Sequence, residues 1–269
     1  MKYSIFLFFF ISLFYNSVIA QEEVEEEKDI SLNIQYWLDY NSNINLKDEL
    51  KDLRIMVGYR GISPHVFDKY LATASYDILN TKSPEFLNLK KPLINSFHLG
   101  GGLYYTNIVE SDNDFEFRLM QGFSFFTPKI ATIYFKNYIR LEERFQTSFN
   151  GSSWNDSYRI RYKISTVLEW KHLFEFNKGL YIPMNVEFFF NLKKADRFND
   201  VIRISPGIGY KLNDDWKFET FISYHYTKIT SENDSSTNDF VIRLRIYNLS
   251  TKKGLFKKSK EENIKDLIE

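Results

Sequence analysis

The chain has 269 residues, in which 35 Lys and Arg balance 35 Asp and Glu, so its formal net charge is zero. This balance argues against a nucleic-acid-binding protein, whose binding domain is normally basic. The absence of cysteine excludes disulfides, thiol nucleophiles and cysteine-linked lipid, and with only 4 His in the chain we expect no metal centre and no cofactor.

Residues 1–20 predict a secretory signal peptide. Lys2 supplies a positive charge, residues 5–14 form an apolar run, and Val18 and Ala20 have the spacing that a signal peptidase accepts. The run is shorter than the roughly 18–20 residues that a membrane-spanning helix needs. We therefore expect export and cleavage before Gln21, followed by an acidic leader over residues 21–30.

From residue 31 to residue 249 the dominant hydrophobic period is two, which is typical of β-strands. In residues 135–145, for example, Phe135, Ile139 and Leu141 alternate with Arg140 and Glu142. Segments of this kind, rich in Phe, Tyr and Ile, form sheets readily and helices poorly.

Eleven such strands are predicted, separated by Asp-, Asn- and Ser-rich turns. They cover residues 34–45, 51–61, 68–79, 96–108, 114–126, 132–148, 157–173, 180–192, 200–211, 215–229 and 239–249. Since an odd number would leave the two chain ends on opposite sides of a barrel, we expect a twelfth strand within residues 83–95. Ten regular crossings are the alternative. A charged tail follows over residues 250–269.

The strands favour an all-β fold, a single antiparallel up-and-down transmembrane β-barrel of about 12 strands with a charged lumen. Many are longer than the roughly 9–11 residues that cross a bilayer. Charges of both signs alternate with the apolar positions, so neighbouring strands would neutralise each other inside a barrel. Aromatic residues near strand ends would form interfacial girdles: Trp37, Tyr104, Tyr105, Trp170, Tyr181, Trp216 and Tyr247.

The connections predict which rim faces the periplasm. From residue 97 onward, roomy turns at 111–114, 150–156, 193–200 and 231–239 alternate with tight turns at 127–129, 177–179 and 212–215. Outer-membrane barrels have short turns on the periplasmic side and long loops outside. This alternation would end the last strand in the periplasm.

Several blocks resemble the bacterial family called domain of unknown function 2490. The most specific is Arg-Leu-Glu-Glu-Arg-Phe at residues 140–145, followed by Arg-Ile-Arg-Tyr at 159–162, and the likeness covers about residues 35–249. The resemblance implies an outer-membrane barrel without an assigned activity. The chain departs from the usual pattern because Tyr247 is followed by a tail instead of ending the chain.

The charged faces give the strongest candidate site, the lining of the lumen. Arginine exceeds glutamate in this set, which favours an anion-preferring constriction, whereas the alternative is a salt-bridged plug that closes a small barrel. The candidates are Arg118, Arg140, Glu142, Arg144, Arg159, Arg161, Lys163, Glu187, Arg203, Arg243 and Arg245.

Two other functions stay open. Ser96 and His98, like Ser223 and His225, share one face of a strand, so a lipid-modifying hydrolase is the first alternative, although no nucleophile-elbow motif supports it. A soluble periplasmic barrel that binds an apolar ligand is the second, and it requires the apolar faces to point inward.

The expected protein is thus a porin-like, non-enzymatic outer-membrane barrel of a Gram-negative bacterium. Its expected partners are membrane lipid, the barrel-insertion machinery and a small solute or ion, with no nucleic acid.

Overall fold

The structure is a computed structural model. It describes residues 32–46, 51–80, 93–127, 133–151, 153–169, 179–192, 200–228 and 236–249. The signal peptide, the acidic leader and the charged tail predicted above lie outside these residues. The strands are β1 (Leu32–Asn45), β2 (Lys51–Ser63), β3 (Phe67–Leu79), β4 (Ser96–Ile108), β5 (Asp114–Phe126), β6 (Lys136–Ser148), β7 (Asn155–Glu169), β8 (Leu180–Asn191), β9 (Asp200–Lys211), β10 (Trp216–Lys228) and β11 (Ser236–Asn248).

The strands form one closed barrel, in which each strand pairs with the next along the chain and β1 pairs with β11. All sequential pairs are antiparallel, whereas β1 and β11 run parallel. The predicted all-β barrel is therefore confirmed, and eleven of the roughly twelve expected strands are present. Within the described ranges, no helix is long and apolar enough to cross a membrane.

The odd strand number changes how the barrel closes. Ten successive reversals leave β1 and β11 pointing the same way, so their hydrogen bonds form in parallel register, with Leu38 opposite Leu244. Because β3 pairs directly with β4, no twelfth strand from residues 83–95 lies between them in the barrel. Residues 83–92 of that predicted strand lie outside the described part of the chain. Leu32 and Asn248 consequently lie at opposite rims.

The tight connection predicted at 212–215 is present between β9 and β10. Of the other two predicted tight turns, residues 128–129 and 177–178 lie outside the described part of the chain.

The two faces of the described strands carry different kinds of side chain. Apolar side chains point outward: Leu244 is 39% exposed, and Ile208 and Ile222 are more than half exposed. Charged side chains on the alternate positions point inward, and Glu142 and Arg144 are almost completely buried. A soluble barrel for an apolar ligand would need the opposite orientation.

Part of the predicted aromatic girdle is wrong. Trp37, Tyr104 and Tyr247 line the lumen, and Tyr181, only 2% exposed, donates a hydrogen bond to the inward-facing Glu219. These residues occupy the same alternate positions as the charged side chains, so strand parity, and not nearness to a strand end, decides where they point.

A different aromatic ladder lies on the outer face. Tyr59, Tyr70, Tyr105 and Phe115 are directly opposite one another on β2 to β5. The rings of Tyr70 and Tyr105 stack at 6.4 Å, and Phe149 meets Tyr105 edge-on. This ladder lies near one rim, where interfacial aromatic residues are expected in a membrane barrel.

Glycine makes room for a large inward ring at one position. Gly207 faces Phe221, and a Cβ atom at residue 207 would come within 2.6 Å of Cδ1 of that ring. At Gly101, which points outward, the nearest atom to such a Cβ would be 3.7 Å away.

We expect Gly207→Ala to lower the free energy of unfolding by about 1–3 kcal/mol, because the added methyl group overpacks the lumen. Urea unfolding of the detergent-solubilised protein, followed by tryptophan fluorescence, measures the change. The matched control Gly101→Ala should stay within about 0.5 kcal/mol of the parent. Equal losses in both variants would contradict the packing shown here.

Candidate functional site

All eleven residues predicted for the lumen lie on the inward face of their strands. Six of them are buried, namely Arg118, Glu142, Arg144, Arg159, Glu187 and Arg203. The other five are partly exposed and line a central cavity of about 400 Å³, namely Arg140, Arg161, Lys163, Arg243 and Arg245. The structure thus brings the whole set together.

Glu142 is the most heavily shared carboxylate of the lumen. It accepts a hydrogen bond from Arg159 Nη2 at 2.6 Å and another from Arg140 Nη2. Arg118 Nη1 and Arg161 Nη1 lie 3.4 and 3.9 Å from its oxygens. A charge with no exposed side-chain surface is tolerable only when it is paired in this way, because desolvation costs several kcal/mol per ion.

Glu187 is the second shared carboxylate. It accepts hydrogen bonds from Arg161 Nη2 and from Arg203 Nη1, the latter at 3.0 Å, and Lys163 Nζ lies 3.8 Å away. Arg161 therefore connects Glu187 with Glu142, and charge pairing continues from β6 across β7 to β9.

The sequence analysis missed three further carboxylates of the network. Glu116 binds Arg118 and Arg144, Asp39 binds Arg60 and Arg243, and Glu219 lies within 3.6 Å of Lys217 Nζ. All three stand on the same alternate positions as the predicted set, so strict extension of the period-two pattern to β1, β5 and β10 would have found them.

Aromatic rings connect the arginine that binds Glu187 with the arginines that bind Asp39. The Arg203 guanidinium lies 4.9 Å from the centre of the Trp37 ring and 5.0 Å from that of Phe189. Trp37 also contacts Arg60 and Arg243, two of the arginines that pair with Asp39. Such cation–π contacts place guanidinium groups where no further carboxylate is available.

The surface of the cavity is strongly cationic even though the network behind it is mixed. The carboxylates Glu116, Glu142 and Glu187 stand behind the arginines, and among the described residues Asp239 is the one carboxylate in the lining. The cations of the lining are Arg54, Arg60, Lys69, Arg118, Lys136, Arg140, Arg144, Arg159, Arg161, Lys163, Arg203, Arg243 and Arg245.

Several of these arginines keep a donor without an acceptor. Within the described residues, Nη1 of Arg144 and Nε of Arg140, Arg161 and Arg245 are buried and have no hydrogen-bond partner in the protein. A buried donor left unpaired costs about 1–3 kcal/mol, more when it is charged. An anion in the cavity would offset the excess positive charge.

The two Ser/His pairs differ in their surroundings. Ser96 Oγ lies 2.9 Å from His98 Nε2, and Asp77 on the neighbouring strand binds the other ring nitrogen. Near His225, by contrast, Glu219 is engaged by the hydroxyl groups of Tyr181 and Tyr247. In the part of the chain that the structure describes, no group of three His, Asp or Glu side chains is arranged to hold a metal ion.

Fold and lumen together define a closed β-barrel with an apolar outer face and an arginine-lined interior. The chain belongs to the family described as "Protein of unknown function (DUF2490)", which matches residues 92–236, just over half of its length. This confirms the resemblance inferred from the Arg-Leu-Glu-Glu-Arg-Phe block. No curated protein and no solved structure matches the chain.

We expect Glu142→Gln to lower the free energy of unfolding by about 3–5 kcal/mol, because it leaves buried guanidinium groups without their counter-charge. Urea titration in detergent measures the loss.

Glu143→Gln is the matched control, since Glu143 points outward on the same strand and accepts a hydrogen bond from the exposed Gln121. Its effect should not exceed about 0.5 kcal/mol. If the two variants unfolded alike, Glu142 would not hold the arginine cluster together.

Proposed function

We propose that the protein is an outer-membrane β-barrel of a Gram-negative bacterium whose narrow lumen admits small inorganic anions. The observation that carries the proposal is the cavity of about 400 Å³, in which every charged lining residue that the structure describes is Arg or Lys except Asp239. Rings of arginine and lysine are how pores select anions.

The outer face supports the membrane placement. Leu38, Val57, Leu103, Ile222 and Ile242 are each 45% exposed or more and belong to a belt that runs around the barrel. Soluble monomers rarely leave apolar patches of more than a few hundred Å² in water. Lipid acyl chains are the natural partner for this belt, and the predicted signal peptide would deliver the chain to the periplasm for assembly by the insertion machinery.

The excess of cationic side chains supports the passage of anions. Arg140, Arg161 and Arg245 line the cavity and are partly exposed. An entering anion is attracted by these guanidinium groups, whereas a cation meets net positive charge in a medium of low dielectric constant.

Planar-bilayer recording of the purified protein across a KCl gradient tests the pore. We expect a reversal potential of the sign that reports chloride permeation. Lys163→Gln should lower the chloride preference, because Lys163 lines the cavity while its Nζ stands 3.8 Å from Glu187, so the change removes charge without breaking a short ion pair.

Lys211→Gln serves as the control, since Lys211 pairs with Asp214 at a turn and its loss should leave selectivity unchanged. Cation selectivity of the parent protein contradicts the proposal. If the folded barrel carries no current, the arginine network acts as a plug.

Membrane fractionation tests the location. The native protein should sediment with the outer membrane and require detergent for release, because its apolar belt faces outward. Recovery in the soluble periplasmic fraction would contradict this placement.

A further inference from the structure

A hydrogen-bonded Ser–His–Asp chain lies inside the barrel at the rim where β3 ends and β4 begins. Asp77 is directly opposite His98 in the β3–β4 register, and Ser96 precedes His98 by two residues on the same inward face. All three side chains are buried, with exposures of 4% for Asp77 and Ser96 and 8% for His98. None of them belongs to the glutamate–arginine network described above.

The carboxylate determines the direction of the hydrogen bonds. Arg54 Nε donates to Asp77 Oδ2, which keeps Asp77 ionised and therefore an acceptor only. His98 Nδ1 must then carry the hydrogen that Asp77 Oδ1 accepts. Because Nδ1 holds the proton, the contact of 3.2 Å between it and Arg54 Nη2 joins two donors and leaves the tautomer unchanged.

This tautomer leaves a lone pair on His98 Nε2 that points at Ser96. The Ser96 hydroxyl donates to Nε2 across 2.9 Å, and Ser124 Oγ, 2.5 Å away, donates to Ser96 in turn. The edge-on contact of the His98 ring with Tyr138, at 4.8 Å between ring centres, restrains the imidazole. A nucleophile, a base and a carboxylate that orients the base are therefore in hydrogen-bond contact.

We propose that Ser96, His98 and Asp77 form an acyl-transfer site that hydrolyses small carboxylic esters bearing an anionic group. Ser96 is the nucleophile, His98 the general base and then the general acid, and Asp77 the positioning residue. The preference for an anionic ester rests on the cationic lining invoked for the proposed function, whereas the catalytic assignment rests on the hydrogen-bond chain alone.

The reaction balances without a co-reactant other than water. Ser96 Oγ bonds to the acyl carbon while its proton passes to His98 Nε2. The ester C–O bond breaks, and the leaving alcohol takes that proton. Water then attacks the acyl-serine with His98 again accepting its proton, and the carboxylic acid leaves as the proton returns to Ser96 Oγ.

The lining of the cavity suggests the substrate class. His98 lines the same cavity as Arg54, Lys136 and Arg140. These cations attract an ester that carries a carboxylate or phosphate, and they supply positive charge for the oxyanion that develops on the carbonyl oxygen. A volume of about 400 Å³ admits small esters and excludes a whole phospholipid.

A serine-directed fluorophosphonate tests the catalytic assignment on the purified, detergent-solubilised barrel. We expect covalent modification of Ser96, located by peptide mass spectrometry and absent in Ser96→Ala. His98→Ala should slow the labelling by about 10²–10⁴-fold, the usual contribution of a general base. Ser165→Ala, which changes another lumen-facing serine, should be labelled at the parent rate.

Asp77→Asn separates positioning from folding. Without the carboxylate the His98 tautomer is no longer fixed, so labelling should fall at neutral pH and recover at high pH, where hydroxide activates Ser96 directly. Heat-dependent electrophoretic mobility confirms that each variant is a folded barrel. A folded parent protein that is not modified at Ser96, or a folded His98→Ala variant labelled at the parent rate, overturns the proposal.

Two chromogenic esters test the substrate class, p-nitrophenyl butyrate and mono-p-nitrophenyl glutarate, which adds a carboxylate. We expect kcat/KM at low ionic strength to be about tenfold higher for the anionic ester, and the ratio to shrink in high salt. Ser96-dependent hydrolysis with equal rates overturns the anionic preference and leaves the catalytic assignment standing. Anion conductance without Ser96 labelling overturns the catalysis and leaves the proposed pore intact.

Discussion

The enclosure of many guanidinium groups with few carboxylates is the constraint on which this barrel depends. Several buried carboxylates each serve more than one cation, as Glu142 does for four arginines, and guanidinium groups also stack on the planar faces of Trp37 and Phe189. Because the carboxylates lie behind the arginines, they neutralise positive charge within the barrel wall, while the surface of the cavity stays positive. The arginines that pair with the buried carboxylates therefore also give the cavity its positive surface.

Closure imposes a second constraint. With eleven strands the first and last must meet in parallel, and they do so through a continuous register from Leu32 to Ser42 on β1. The network crosses this seam, since Asp39 on β1 binds Arg243 on β11. A charged pair across the parallel junction fixes its register in addition to the backbone hydrogen bonds, because a slip of one residue would turn either side chain outward.

The two proposals concern different parts of one lumen. The conduction proposal depends on cations around the central cavity, whereas the catalytic proposal depends on Asp77, Ser96 and His98 at one rim. Arg54 contacts both, since it lines the cavity and binds Asp77. An anion drawn in by the cationic lining would thus be brought towards Ser96, so the same electrostatic field can serve entry and reaction.

Alternation along the chain was sufficient to predict the strands and the inward position of residues such as Arg144 and Arg161. These are local properties: side chains two residues apart share a face, and an apolar face opposite a charged face admits few folds. The sequence did not reveal that β1 meets β11 in parallel or that Asp77 lies beside His98. Each depends on strand register, which joins residues distant in the chain, and only the closed barrel determines which of them come into contact.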